Sequence, residues 1–388
     1  MDYPIDLKKC YDGALMADNA PDEGVLRILE EPRRIPRLMP EFVLDYSGRG
    51  LSLKLLPEQD IHGSYLVRRQ NALLFGPNHL VTRNGNWSCE SRKYKNQFLK
   101  YFQAPFFNHI YPGPKPKVFY EGNERLLRTV ELGDADIALI DRQIFLATPL
   151  EVSNWGRWLV TVVPKVAQYI EHGRGRLFCC FAQNGWQKKF LKLLGVDEGM
   201  ILQHDPGRTY VCDDVMTVEY SETNMSISTL ERANYFDIII KNRIKMPVRR
   251  KLFVSRMSRS RRNPHYRVLQ NEAELAAMLE SVGFETVEPE SLSFEEQITL
   301  FSGAEQVVFL GGSGIYNTVF CAPGTRVVTI ESSDKFVGLH LNLLASLGFR
   351  YGVVFGKEDP TDTSEAHRRW TVDVPRVHDA ILDFFHSA

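Results

Sequence analysis

The sequence predicts an α/β protein of two doubly wound domains, and three observations carry that prediction. The chain has 388 residues, more than one ordinary core holds and suited to two domains of roughly 150–200 residues each. Short apolar runs alternate with amphipathic stretches of helical period, the pattern of strands joined by crossover helices. The alternation then restarts, with a new strand opening at Lys251 after a helical stretch and a basic run. A boundary therefore falls near residues 225–248.

The elements follow in order. The first 60 residues are rich in proline and charge (APDEGVL, EEPRRIPRLMPEF) and read as an irregular lead-in with room for one strand. From Leu66 to Tyr120, short apolar runs broken by Asn-Gly and Gly-Pro turns predict strands and hairpins. ADIALIDRQIFLA, from Ala135, reads as a buried strand and its exit. In SNWGRWLVTVVPKVAQYIEHGRGR, Ser153 or Asn154 can cap a helix whose face carries Trp158, Val162, Val166 and Ile170. Gly173 ends it, and Pro164 should kink it. RLFCCFA is a strand, QKKFLKLLGV a short helix stopping at Gly195, and ILQHD and YVCDDVMTVEY are further strands.

In the second half, TLERANYFDIIIKNRI is a helix and KLFVSR a strand. NEAELAAMLESVG is a helix capped by Asn271, with Glu274 three residues on and Gly283 as its stop. FETVEP is a strand, and SFEEQITLFSGA a helix with Ser293 and Glu296 in capping-box spacing. Strand, glycine-rich turn, helix and strand follow through Glu331. Residues 334–349 form one more helix, RYGVVFG a strand, and VPRVHDAILDFFHSA the last helix. No internal repeat or low-complexity segment stands out.

The bulk numbers exclude several classes. Hydrophobic residues make up 44% and charged residues 24%, and the formal net charge is −1, so no global basic field marks a nucleic-acid binder. The six cysteines form no CxxC pair and no zinc-spaced cluster, which fits a reduced, cytosolic chain. MDYPIDLKKCYDG has no apolar core of a signal peptide, and no run approaches about 18 apolar residues.

Two stretches carry chemistry. VVFLGGSGIYNTVFCAPGTRVVTIE, Val307–Glu331, is a strand feeding Gly311-Gly312-Ser313-Gly314 and a helix start. Backbone N–H groups and the helix dipole there make an anion cradle, and glycine lets a phosphate approach. The other reading is a tight packing turn. Ser313 lacks the acid and His context of a hydrolase nucleophile, and the dinucleotide fingerprint is incomplete because Asn317 stands where its third glycine would be. The second stretch, RRKLFVSRMSRSRRNPHYR, holds seven arginines from Arg249 to Arg267. Arg256 follows a strand directly, where a guanidinium can clamp a diphosphate. Arg259, Arg261 and Arg262 fall on a predicted loop, most of it a solvated charge run, with Arg261 kept as a second phosphate contact. Two anion-holding strand ends in one domain point to a nucleotide diphosphate.

From Lys251 to Gly356 the order Ser-Arg, Asn-Glu, Leu-Ser-Phe-x-x-Gln, Gly-x-Gly-x-x-Asn and Pro-Gly resembles the C-terminal half of glycosyltransferase family 61, whose bacterial members serve capsular and exopolysaccharide synthesis. NWGRWLVTVVPKV, from Asn154, resembles more weakly the family's N-domain helix. The resemblance implies a GT-B fold, two facing Rossmann-like domains with a central cleft. It places an acceptor-side domain at 1–235, a nucleotide-sugar domain at 236–375 and a terminal helix, 376–388, packing back toward the first domain. It implies inverting transfer from a nucleotide sugar to a glycan or lipid-linked glycan. Arg256, Gly312, Ser313, Gly314 and Asn317 would hold the diphosphate. Glu331 is a candidate for the ribose or base. Gln297 either orients the phosphate-side loop or serves its helix cap.

The sequence departs from the family pattern where the base belongs. The usual His-Gly of the turn is Gly311-Gly312, the helix His is Arg157, and its acid is Thr161. An inverting enzyme needs a group to take the acceptor proton. Asp141, or His204 with Asp205, could supply it, although Asp141 can equally cap a turn and His204 can equally be a satisfied core residue. Arg157 could serve an anionic acceptor or donor. Asn154, Trp155 and Trp158 are candidate acceptor contacts, though one tryptophan of such a pair is commonly core. No Asp-x-Asp motif is present, so neither metal nor other cofactor is expected. The expectation is a cytoplasmic glycosyltransferase, with the Trp155–Tyr169 helix able to touch a membrane surface. Its rivals are a catalytically silent glycan or nucleotide binder on the same fold, and an NAD(P)-dependent enzyme.

Overall fold

A computed structural model describes residues 3–4, 10–11, 24–47, 55–82, 87–88, 117–121, 126–131, 137–220, 225–242, 249–264, 267–332, 337–363 and 368–387. Most of the hairpins expected between 83 and 116, and residues 243–248 of the expected boundary, lie outside them. The chain divides into two compact units, Met1–Arg33 with Asp60–Thr223, and Arg34–Gln59 with Asn224–Ala388.

The first unit is built on a mixed sheet. Its parallel part runs Ile201–Gln203, Leu177–Cys180, Ile144–Leu146 and Thr209–Tyr220. The long strand Ser64–Phe75 then joins Thr209–Tyr220 antiparallel and turns back into His79–Thr82. The sheet is therefore not the wholly parallel one that the alternation predicted. ADIALIDRQIFLA is two strands rather than one. Ile137–Ile140 and Ile144–Leu146 both pair with Thr209–Tyr220, and the first is outlying, with Leu139 exposed. The second is wholly buried, because all three of its residues are apolar and the sheet is covered there.

The predicted helix starts at Trp155 and runs through Pro164 to Gly173. The turn before the proline widens into a π-helix over Trp158–Val162, with the Val163 N–H donating to the Trp158 carbonyl. The wide turn spares the Val160 carbonyl the clash a proline makes four residues on. Trp158, Val162 and Val166 are buried as expected. Ile170 is only half-buried. Tyr169 takes the inner place, against Phe145 and Phe178, with its hydroxyl donating 3.0 Å to the Arg176 carbonyl.

The second unit holds a six-stranded, wholly parallel sheet in the order Glu285–Val287, Arg250–Val254, Ala304–Leu310, Arg326–Glu331, Arg350–Phe355, Phe42–Asp45. Helices Glu272–Ser281, Phe294–Ser302, Val337–Leu347 and Val374–His386 alternate with the strands. The last strand, Phe42–Asp45, comes from the proline-rich lead-in, which holds Val25–Glu30 and Arg33–Pro36 as well rather than the one strand expected. The terminal helix buries Val374, Val377, Ile381, Phe384 and Phe385 in this unit's core beside Leu275 and Leu279. The Ser293–Glu296 capping box forms as expected, and Gly283 ends its helix at φ +91°.

Candidate active site

Counted from Arg250–Val254, the second sheet runs 2-1-3-4-5, with Phe42–Asp45 beyond. Such a sheet reverses its winding between its first and third strands, and ligands seat outside the carboxyl ends at that point. Arg256 and Gly311 are the residues there. The Arg256 guanidinium donates through Nη1 to the Gly311 carbonyl oxygen.

The two glycines of the corner are crowded by opposite charges. A β-carbon on Gly312 would stand 2.0 Å from Arg256 Nη1, and Gly312 has φ +147°. A β-carbon on Gly311 would stand 2.1 Å from Glu331 Oε2. No other residue fits either place without moving a charged group. Ser313 and Gly314, at the start of the 3-10 helix Ser313–Phe320, keep partial exposure. Asn317 is wholly buried within that helix and belongs to its interior rather than to the open rim.

Arg256 is held by a residue to which the sequence assigned no role. Glu272, buried at the first turn of its helix, accepts from the Arg256 N–H at 2.6 Å and from Ser255 Oγ at 2.7 Å. Burial pushes its carboxyl pKa up, against the downward pull of those bonds and the Arg256 charge. Asn271, expected to cap that helix, makes no cap. Its side chain instead donates to the Val372 carbonyl and accepts from the Val372 N–H. The Asn-Glu pair thus ties the Arg256 loop and the chain's last segment to one helix start.

Glu331 lies deep in the same corner. Its Oε1 takes bonds from Thr329 Oγ1 at 2.6 Å and His340 Nδ1 at 2.7 Å. Burial pushes its pKa up, but His340, Thr329 and the Arg267 charge outweigh burial, and the net direction is down. Gln297 is buried, with Nε2 donating 3.3 Å to the Leu292 carbonyl, a position that serves its own helix start. The arginines expected on a loop form a short helix, Met257–Arg262. Arg261 is exposed on it, while Arg262 pairs with Glu290 at 3.3 Å.

In the first unit, the carboxyl ends of the parallel strands gather Thr148, Phe181 and His204. Thr148 Oγ1 lies 2.8 Å from His204 Nδ1 and accepts from the Phe181 N–H at 3.1 Å. His204 is fully buried, and burial pushes its pKa down to about 3. Asp141 is not in this group. It sits exposed in the turn that enters Ile144–Leu146, at that strand's other end. At the helix start, Asn154 caps through Oδ1 to the Arg157 N–H at 3.2 Å and donates Nδ2 to Glu151 Oε2 at 2.7 Å. Arg157 Nε stands 3.6 Å from Glu151 Oε1. Trp158 is wholly buried, with its indole N–H spent on the Val152 carbonyl at 2.8 Å, so it offers no face to a ligand. Trp155 stays partly exposed and packs on Trp186 and Phe190.

The family model described as Glycosyltransferase 61 matches residues 93–328, more than half of the chain. The chain belongs to glycosyltransferase family 61. No curated protein matches it.

As a family 61 glycosyltransferase, the chain carries its matched segment from before the Asn154 helix to the strand that ends at Glu331. Glu272 at the Arg256 corner and Glu151 at the Asn154 cap are residues that sequence reasoning passed over. Glu272 stood in the quoted Asn-Glu pair, but its partners lie 16 and 17 positions back. Glu151 gave only the signal of an acid three residues before a cap.

Proposed function

We propose that this glycosyltransferase moves a sugar from a nucleotide-sugar donor to a glycan acceptor, inverting the anomeric centre, as a step of capsular or exopolysaccharide synthesis. The observation that carries the reading is the Arg256 guanidinium lodged against Gly311 and Gly312 at the switch point of a parallel sheet. That is where a nucleotide's phosphates seat in sheets of this order. A fixed cation there stabilises the diphosphate as it leaves, and the corner's N–H groups add to it. Ser313 and Gly314 form the open rim, and Glu331 sits beneath the neighbouring strand end on the ribose side. We assign the leaving-group charge to Arg256 rather than to a metal. The GT-B plan belongs to the same reading, supported by two units that each carry parallel strands with chemistry at their carboxyl ends. So does a cytoplasmic site of action, in keeping with buried free thiols at Cys179, Cys180 and Cys212. No described helix is long and apolar enough to cross a membrane.

The test is a melting-temperature panel with UDP, GDP and CMP on the wild type and Arg256→Ala. A ligand that binds only the folded chain raises its melting temperature. A shift in the wild type that the variant loses supports the donor site and names the base. No shift with any nucleotide sinks it and leaves the corner as a packing turn.

A further inference from the structure

The helix Gly185–Leu193 of the first unit divides into two faces. Gln187, Phe190 and Leu191 are buried, and Gly185, Lys188, Lys189 and Lys192 are exposed. Spacings of three and four set those four on one stripe, about 10 Å long at the rise of an α-helix. Lys188 and Lys189 each stand one turn from Lys192, and like charges so placed weaken a helix. Among the described residues no carboxylate pairs with any of the three. Asp197 and Glu198 fall past the helix end, and Asp197 is turned onto the Gly199 N–H at 3.0 Å. A chain of formal net charge −1 thus sets three cations on one face with no counter-charge.

The stripe begins at an aromatic corner. Trp186, the second residue of the helix, packs edge-to-face on Trp155 with ring centres 5.5 Å apart, and on the buried Trp158 at 5.2 Å. Trp155 lies on Phe190 at 6.1 Å. Both outer indoles keep partial exposure, and these contacts fix their rings before any ligand arrives. A β-carbon on Gly185 would meet nothing within 4 Å, so the start of the stripe, beside Trp186, is open. Glu151, at the cap before Trp155, faces Arg157 Nε at 3.6 Å, which leaves little net charge there to repel an anion.

We infer that this corner and stripe bind an acidic glycan, so that the acceptor is a carboxylate-bearing oligosaccharide. The inference deepens the glycosyl-transfer reading above and rests on it. An indole covers the apolar C–H side of a sugar ring. Ammonium groups on flexible stems reach carboxylates spaced along a chain. A neutral glycan would leave the lysines idle. A membrane-surface helix buries its apolar face in lipid, and here that face is spent on the protein's own core.

The probes are oligosaccharides of galacturonate, of mannuronate, and of alternating glucuronate and N-acetylglucosamine, each beside its carboxyl-reduced, neutral form. Titration calorimetry at low and high salt follows their binding to the full chain as wild type, Lys188→Glu/Lys189→Glu and Trp186→Ala. The wild type should hold at least one acidic form more tightly than its reduced form, and salt should erase the difference, because exposed charges are screened. An exposed ion pair is worth up to about fivefold in affinity, so the double lysine variant, which loses two and adds repulsion, should bind the acidic form about tenfold more weakly or worse. It should hold the neutral form as before. Trp186→Ala should weaken both forms alike. Should that variant unfold, the lysine variant, confined to exposed side chains, still decides.

Acidic and reduced forms bound equally overturn the inference, as does an acidic form that the lysine variant holds as tightly as the wild type. So does a wild type that binds none of the oligosaccharides, or that binds only vesicles of phosphatidylglycerol, which would make the stripe a membrane face. In each case a nucleotide-induced melting shift that Arg256→Ala loses leaves the donor reading standing. A preference for the acidic form without any nucleotide shift sinks the donor reading instead.

Discussion

The guanidinium of Arg256 and the carbonyl of Gly311 meet across the switch point of the second sheet, and Gly312 leaves room for the meeting. Gly312→Ala puts a methyl group 2.0 Å from Arg256 Nη1, on a backbone at φ +147° that alanine avoids. The guanidinium must move. The variant should lose the nucleotide-induced melting shift as fully as Arg256→Ala does, and should itself melt at a lower temperature. A Gly312→Ala protein that keeps its full shift would show that the guanidinium's place is not what binds the nucleotide.

Glu272 acts through Arg256 rather than on a ligand. Glu272→Gln keeps one acceptor oxygen but removes the charge that holds two donors. Hydrogen bonds to charged groups are worth about 1.5–3 kcal/mol, so urea unfolding should show a loss of that order. Donor KM should rise severalfold with kcat changed less, and Glu272→Asp should recover only part of it. An unchanged donor KM would reduce Glu272 to a structural acid.

His204 makes a prediction about acid. Burial pushes it down to about 3 in the fold, against about 6.5 in an unfolded chain. Between those values the unfolded chain holds a proton that the folded chain refuses. Stability therefore falls as pH falls across that window, by about 1.4 kcal/mol per pH unit for one such histidine. His79, buried and likewise pushed down to about 3, adds a second share. In urea unfolding at pH 6, 5 and 4, His204→Gln should give a slope shallower by one histidine's share. An identical slope would place the refused proton elsewhere.

The two tryptophans of the first helix should separate cleanly. Trp158→Ala removes a wholly buried indole with its N–H bonded, and should cost about 3–5 kcal/mol in unfolding. Trp155→Ala should cost much less stability and raise the acceptor's KM instead. The reverse pattern would move the acceptor face away from Trp155.

Local signals were legible in the sequence. The capping box at Ser293 and Glu296, the stop at Gly283, and Arg256 and Gly312 each announce themselves within a few residues, because caps, positive φ and strand exits are short-range events. Arg256 and Gly311 meet 55 positions apart, and only the strand–corner pattern on both sides suggested it. Helical spacing put Trp155 and Trp158 on the same turn but did not say which faced inward. Asn271 looked like a cap because the signature fits. The structure spends that side chain on Val372, 101 positions away, a partner no local pattern contains. Asp141 sat at a strand end as read, but of the short outer strand, because one apolar run proved to be two.

The strand Phe42–Asp45 has a further meaning for how the molecule is made. Its hydrogen-bonding partner, Arg350–Phe355, lies near the other end of the chain. On the ribosome, the edge piece emerges long before the sheet it completes, and must wait while Asp60–Thr223 of the first unit is synthesised. A fragment cut at Asn224 would expose the open edge of Arg350–Phe355, with Gly352 no longer covered by Phe42. Bare strand edges recruit other chains. The second unit is thus stitched shut by a thread laid down at the start, and any attempt to produce it alone has to carry residues 34–59 along.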